Sequence, residues 1–193
     1  MNRIQMIFGE SISLKQSIVS DLQLIKRISS LADKMVETIE NGGRIWFCGN
    51  GGSAADAQHL AAELSGRFLK DRKSIPAEAL HVNSSYLTAV ANDYSFESAY
   101  ARYLEGAARQ GDLLLAISTS GNSKNICLAA KKGSELGLYI AGMTGAEGGE
   151  LSQQCDILIN MPSDVTARIQ ECHIVVGHIL CEIVEERIFE GNS

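Results

Sequence analysis

The sequence predicts an α/β fold: a doubly wound, five-stranded parallel sheet of order 2-1-3-4-5, helices on both faces, and a helical N-terminal segment over 1–42. Two observations lead to it. Short apolar runs alternate with amphipathic, Ala- and Leu-rich stretches five times along the chain, a pattern that calls for parallel strands joined by helical crossovers. The first and third apolar runs each end in a Gly/Ser-rich turn that opens a helix. In doubly wound sheets ligands bind where the strand order reverses, and order 2-1-3-4-5 puts that point between strands one and three.

Apolar positions including Ile12, Ile18, Leu24, Ile28, Leu31, Met35 and Ile39 recur at helical steps, so 10–40 reads as helix, divisible into two near 21–24. Asn41-Gly42-Gly43 stops it. Ile45-Trp46-Phe47-Cys48 is the first strand, and Gly49-Asn50-Gly51-Gly52 turns the chain. Ser53 is the N-cap candidate of a helix over 53–68, with Asp56 as an Asp variant of the capping box. A charged loop at 70–74 precedes a second strand at 77–82, a helical turn at 87–92 and a helix at 97–108. The third strand, 113–117, runs into the polar turn 118–123 and a helix at 124–136. The fourth strand, 138–143, is followed by a Gly-rich turn at 144–149 and a short helix to 154. The fifth, 156–161, leads to a final helix at 166–188.

At 193 residues, with 45% hydrophobic residues and mean hydropathy +0.01, the chain reads as a single domain over 1–193 with a sizeable core. No apolar run approaches the ~18 residues of a membrane span, and the N-terminus lacks a signal peptide's apolar stretch, so a cytoplasmic protein without membrane contact is expected. Cysteines 48, 127, 155, 172 and 181 form no C-x-x-C pair and read as buried reduced thiols. A net charge of −6 with no basic stripe argues against a nucleic-acid partner.

Three stretches carry chemistry. The 49–53 junction presents backbone N–H groups and a helix dipole to an anion or a sugar hydroxyl. Downstream, His59 and Glu63 share a helix face, which suits a divalent metal or a base beside one, and equally an ordinary exposed i,i+4 pair. Ser118, Thr119, Ser120 and Ser123 place four hydroxyls at a second helix start, more than a cap uses and suited to phosphate. In the last helix, Gln170 and His178 lie about 12 Å apart along the axis and roughly 80° around it, a marginal reach to one ligand. Nearby His173 lies among apolar residues, where a lone histidine reads as a satisfied core or interface residue rather than a ligand. The glycine turn also fits G-x-G-x-x-A, but no carboxylate ends the second strand at His81-Val82-Asn83, so dinucleotide binding is not expected.

Taken together, Gly49-Asn50-Gly51-Gly52-Ser53, His59, Glu63, Ile117-Ser118-Thr119-Ser120-Gly121-Asn122-Ser123 and Arg168-Ile169-Gln170-Glu171 closely resemble the phosphoheptose isomerases of the sugar isomerase (SIS) superfamily. The resemblance covers nearly the whole chain, including Asn92-Asp93 and Thr144-Gly145. It implies a SIS-type sheet and interconversion of D-sedoheptulose 7-phosphate with D-glycero-D-manno-heptose 7-phosphate, the first step of ADP-heptose biosynthesis toward lipopolysaccharide. It further implies phosphate binding by Ser118, Thr119, Ser120 and Ser123, and sugar contacts from Asn50, Gly51, Gly52, Ser53, Asn92, Asp93 and Gln170. Glu63 would be the base, also touching substrate, and His178 the acid. One Zn²⁺ per subunit would be held by His59, Glu63, Gln170 and His178 in a homotetramer with active sites at subunit interfaces. The alternative is a non-catalytic SIS protein that binds the replication initiator DnaA, in which the acid at Glu63 and the histidine at His178 are not expected. Leu80-His81-Val82-Asn83-Ser84-Ser85-Tyr86 and Ala91 depart from the family pattern, and no role is carried to His81.

Overall fold

The computed structural model describes residues 2–190. Helices α1 (Arg3–Ser20) and α2 (Leu22–Glu40) precede β1 (Ile45–Cys48), α3 (Gly52–Ser65), β2 (Ala77–Ala79), α4 (Ser84–Asp93) and α5 (Ala99–Ala107). Then come β3 (Leu113–Ile117), α6 (Lys124–Glu135), β4 (Tyr139–Thr144), a 3-10 turn (Glu150–Gln153), β5 (Ile157–Asn160) and α7 (Thr166–Glu190). All four strand pairings are parallel and the order is β2-β1-β3-β4-β5, as expected.

The long N-terminal helix is indeed two. Asp21 ends α1 and begins α2, its carboxylate accepting from the N–H groups of Gln23 and Leu24. Helix α1 starts at residue 3, not 10, because Asn2 and Gln5 close a reciprocal capping box. The second strand is shorter than expected. It stops at Ala79 because Asn83 caps α4, which replaces the expected helical turn with a full helix.

Side-chain alternation splits the strands between two cores. Ile45, Phe47, Leu113, Leu115, Ile117 and Met143 face α2, α3 and α7, while Trp46, Cys48, Leu114, Ala116 and Ile140 face α5 and α6. Helices α3 and α7 therefore share one face of the sheet. Their axes come close at Gly177, where a Cβ would lie 2.5 Å from Leu60 Cδ1. At the far end of the sheet, Asp112 accepts hydrogen bonds from the Trp46 indole and the N–H groups of Arg44 and Arg109. All five cysteines are free. Among the described residues no helix is long and apolar enough to cross a membrane.

His173 is a core histidine. It is fully buried on α7, and its Nε2–H donates to the Thr144 carbonyl at 3.1 Å while Nδ1 has no partner. Burial outweighs that bond and pushes the ring down to about 4, since a second N–H would be buried without an acceptor. The unfolded chain then holds the extra proton between pH 4 and 6.5, so His173 supports the fold fully above pH 6.5 and loses that support on acidification to about 4. About 3 kcal/mol of unfolding free energy should vanish over this window, and His173→Leu should flatten that part of the profile. Urea titrations from pH 7 to 4 check this. Thr144 keeps its second donor, the Met161 N–H, in the variant.

Candidate active site

Two helices begin at the carboxyl ends of the adjacent strands β1 and β3. At the first, Gly51 occupies the N-cap position with φ +54°, a conformation natural to glycine, and no side chain caps α3. This corrects the expectation for Ser53: it lies buried inside the first turn, and Asp56 is no capping partner. The Tyr100 hydroxyl donates to the Gly49 carbonyl at 2.9 Å and steadies the turn from below. Asn50 and Asn125 exchange two amide hydrogen bonds of 2.8 Å each, tying the glycine turn to the first turn of α6.

At the second helix start, the Ser123 hydroxyl is not spent on capping α6. Its oxygen lies 3.2 Å from that of Ser118, which is buried, while Thr119 is half-buried and Ser120 exposed. The Ser120 hydroxyl accepts from the Asn122 N–H and shapes the turn. The 144–149 turn supports it from behind: Gly145 N–H donates to Thr119 O, Glu150 N–H to Asn122 Oδ1, and Leu151 N–H to Gly121 O. The Ser118 and Ser123 hydroxyls thus meet at the start of α6, where unpaired N–H groups favour an anion.

Further along α3, His59 and Glu63 meet His178 of α7. The two Nε2 atoms are 2.9 Å apart, and His59 Nε2 lies 3.2 Å from Glu63 Oε1. One ligand atom from each of the three falls within 4.8 Å of the others. Two imidazole lone pairs and a carboxylate oxygen converging this way are a Zn²⁺-type donor set. Asp56, one turn before His59, has a buried carboxyl oxygen with no hydrogen-bond partner. Burial holds its pKa above the ordinary value, against the pull of His59 and His178. A cation among the three ligands would give that orphaned oxygen a positive neighbour, so the residues present fit a divalent ion. Phe68 stacks on the His178 ring, with centroids 5.6 Å apart.

A SIS domain family model matches residues 10–145. The chain is 52% identical over 183 residues to the phosphoheptose isomerase of Mycobacterium tuberculosis (strain ATCC 25177 / H37Ra), covering 95% of this chain and 93% of that one. The chain belongs to the phosphoheptose isomerase family. Among solved structures, the phosphoheptose isomerase of Neisseria gonorrhoeae superposes with a TM-score of 0.89 at 39% identity, covering 95% of this chain and 97% of its own. That of Francisella tularensis gives 0.91 at 36%, with the same coverage.

Of the residues expected to serve a phosphoheptose isomerase, the structure gathers His59, Glu63 and His178 in one cluster, and Ser118 with Ser123 in another. Gln170 meets the glycine turn that opens the same helix α3: its Nε2 lies 2.6 Å from where a Cβ on Gly52 would be. Asn92 and Asp93 end α4, exposed and bonded to each other. Asn125 carries no sequence signal, and Asp56 is expected only as the capping-box partner of Ser53.

Proposed function

We infer that this protein is an aldose–ketose isomerase converting D-sedoheptulose 7-phosphate to D-glycero-D-manno-heptose 7-phosphate. The observation that carries the reading is the His59–Glu63–His178 cluster, on the same sheet as a serine-lined helix start, in a chain of phosphoheptose isomerase descent. The isomerase name of the relatives favours turnover over the DnaA-binding alternative.

The phosphate docks against Ser118, Thr119, Ser120, Ser123 and the first N–H groups of α6. Asn50, the Gly51–Gly52 backbone, Ser53, Gln170, Asn92 and Asp93 serve the sugar hydroxyls. Glu63 takes a proton from C1 of the open-chain ketose and returns it to C2 of the resulting enediolate. His178 exchanges the proton between the two oxygens. His59, Glu63 and His178 would hold a Zn²⁺, with Gln170 as a fourth ligand. That ion supplies polarisation of the carbonyl oxygen and charge opposite the developing oxyanion. A carboxylate on zinc is a weaker base, and Glu63 has a second oxygen besides the Oε1 turned to His59.

Ile4, Phe8, Ile12 and Val19 of α1 and Leu22 of α2 are exposed apolar residues. Their area supports assembly through the helical N-terminal segment, and we propose a homotetramer with its sites at subunit interfaces. The product would feed ADP-heptose and lipopolysaccharide synthesis in the cytoplasm.

Purified protein should turn over sedoheptulose 7-phosphate, lose at least nine-tenths of that activity on dialysis against a chelator, and regain it with added Zn²⁺. Undiminished turnover after complete metal removal would overturn the metal assignment. No turnover in either state would overturn the enzyme reading and return the DnaA-binding alternative.

A further inference from the structure

The cluster draws His59 and Glu63 from α3 and His178 from α7, and something must fix those helices against each other. The segment between α3 and β2 does so through a buried ion pair. Arg72 Nε donates to Glu185 Oε1 at 2.7 Å, with 2% and 1% of the two side chains exposed. The remaining Arg72 donors grip the end of α3: Nη2 bonds Glu63 O at 2.8 Å, and Nη1 bonds Leu64 O at 2.7 Å. These are the last-turn carbonyls that a helix leaves unpaired, and a cation there also suits the helix dipole. Glu185 collects the N–H groups of Phe68 at 3.2 Å, Leu69 at 2.8 Å and Lys70 at 3.0 Å. Glu185 stands seven residues after His178, so both lie on one face of α7. The Phe68 ring held by this arrangement is the one stacked on His178.

We propose that Arg72 and Glu185 form a positioning latch, which locks the Glu63 end of α3 to α7 and sets the Phe68 ring against His178. Neither touches the reacting atoms. A buried ion pair is poor evidence for stability alone, because desolvation offsets its attraction. This one binds three backbone N–H groups and two helix-end carbonyls beside the cluster, which is the form a positioning support takes. Its consequence for a metal rests on the Zn²⁺ reading above; its consequence for the Phe68–His178 stack does not.

The test uses two readouts on the full-length protein. In the metal-free state, ring-current shielding by Phe68 should displace the His178 ring-proton NMR signals upfield. Glu185→Gln should remove most of that displacement. With metal, chelator competition should show Zn²⁺ binding weakened 10- to 100-fold by Glu185→Gln. Leu104→Ala, which opens a cavity in the core on the opposite face of the sheet, should lower thermal stability while leaving both readouts at wild-type values. If Glu185→Gln does not fold, Arg72→Lys replaces it, since lysine keeps the charge but loses the fork that reaches Glu63 and Leu64. A folded variant with an unchanged His178 signal and wild-type Zn²⁺ affinity would overturn the latch. A wild-type protein that binds no Zn²⁺ overturns the metal reading, and the metal-free signal then decides the latch by itself.

Discussion

Glu63→Gln should lower turnover of sedoheptulose 7-phosphate by about 10³-fold or more, the effect of removing a general base from a carbon-proton transfer. Glutamine keeps the shape of the side chain and can still contact His59 Nε2, but it cannot hold a proton taken from C1. The comparison belongs at saturating Zn²⁺, because Glu63 is also a proposed ligand and the variant should bind the ion less tightly. Under those conditions kcat should collapse while KM for the sugar changes by only a few-fold, since the phosphate turn is intact. Activity within ten-fold of wild type would remove Glu63 as the base.

Gly121→Ala should produce the second largest effect, through the backbone. Gly121 has φ +68°, and a Cβ there would lie 2.0 Å from the Gly148 carbonyl oxygen. Neither a side-chain rotation nor a small shift relieves this, because the obstacle is main chain held by the Gly145 N–H bond to Thr119 O and the Leu151 N–H bond to Gly121 O. The 118–123 and 144–149 turns must separate, at about 2–4 kcal/mol of stability. Urea unfolding should show the shift, and KM for the phosphorylated sugar should rise more than ten-fold in whatever fraction folds. Wild-type KM in a stable variant would show that the turn does not bind the phosphate.

Local chemistry made much of this legible in the sequence. Strand order, both helix-opening turns and the i,i+4 pairing of His59 with Glu63 follow from periodicity and turn residues. The division near 21–24 is suggested by the length of the helical run, and in the structure Asp21 makes it by capping α2. Ser53 misled because a hydroxyl before an apolar run is the ordinary N-cap, whereas here a positive φ at Gly51 starts the helix two residues sooner. The Asn50–Asn125 exchange spans 75 residues and Arg72–Glu185 spans 113. No periodicity encodes such pairs, since only the folded sheet brings them together. Gln170 and His178, eight residues apart on α7, both meet α3, the first at Gly52 and the second at His59 and Glu63.

That His178, Gln170 and Glu185 all ride on the last helix has a consequence for biosynthesis. A nascent chain that has emerged only as far as β5 holds all five strands and both polar turns, yet it lacks His178 of the His59–Glu63–His178 cluster and Glu185 of the proposed latch. The proposed ion therefore has no completed seat until α7 has docked on α3. Because binding favours the state that owns the site, the proposed metal would stabilise chains with α7 docked more than chains without it. Loss of the final 25-residue helix leaves α3 with an uncovered apolar face as well as an empty half-site. Burial of the α3 face and assembly of the proposed site are then the same event, completed when α7 docks.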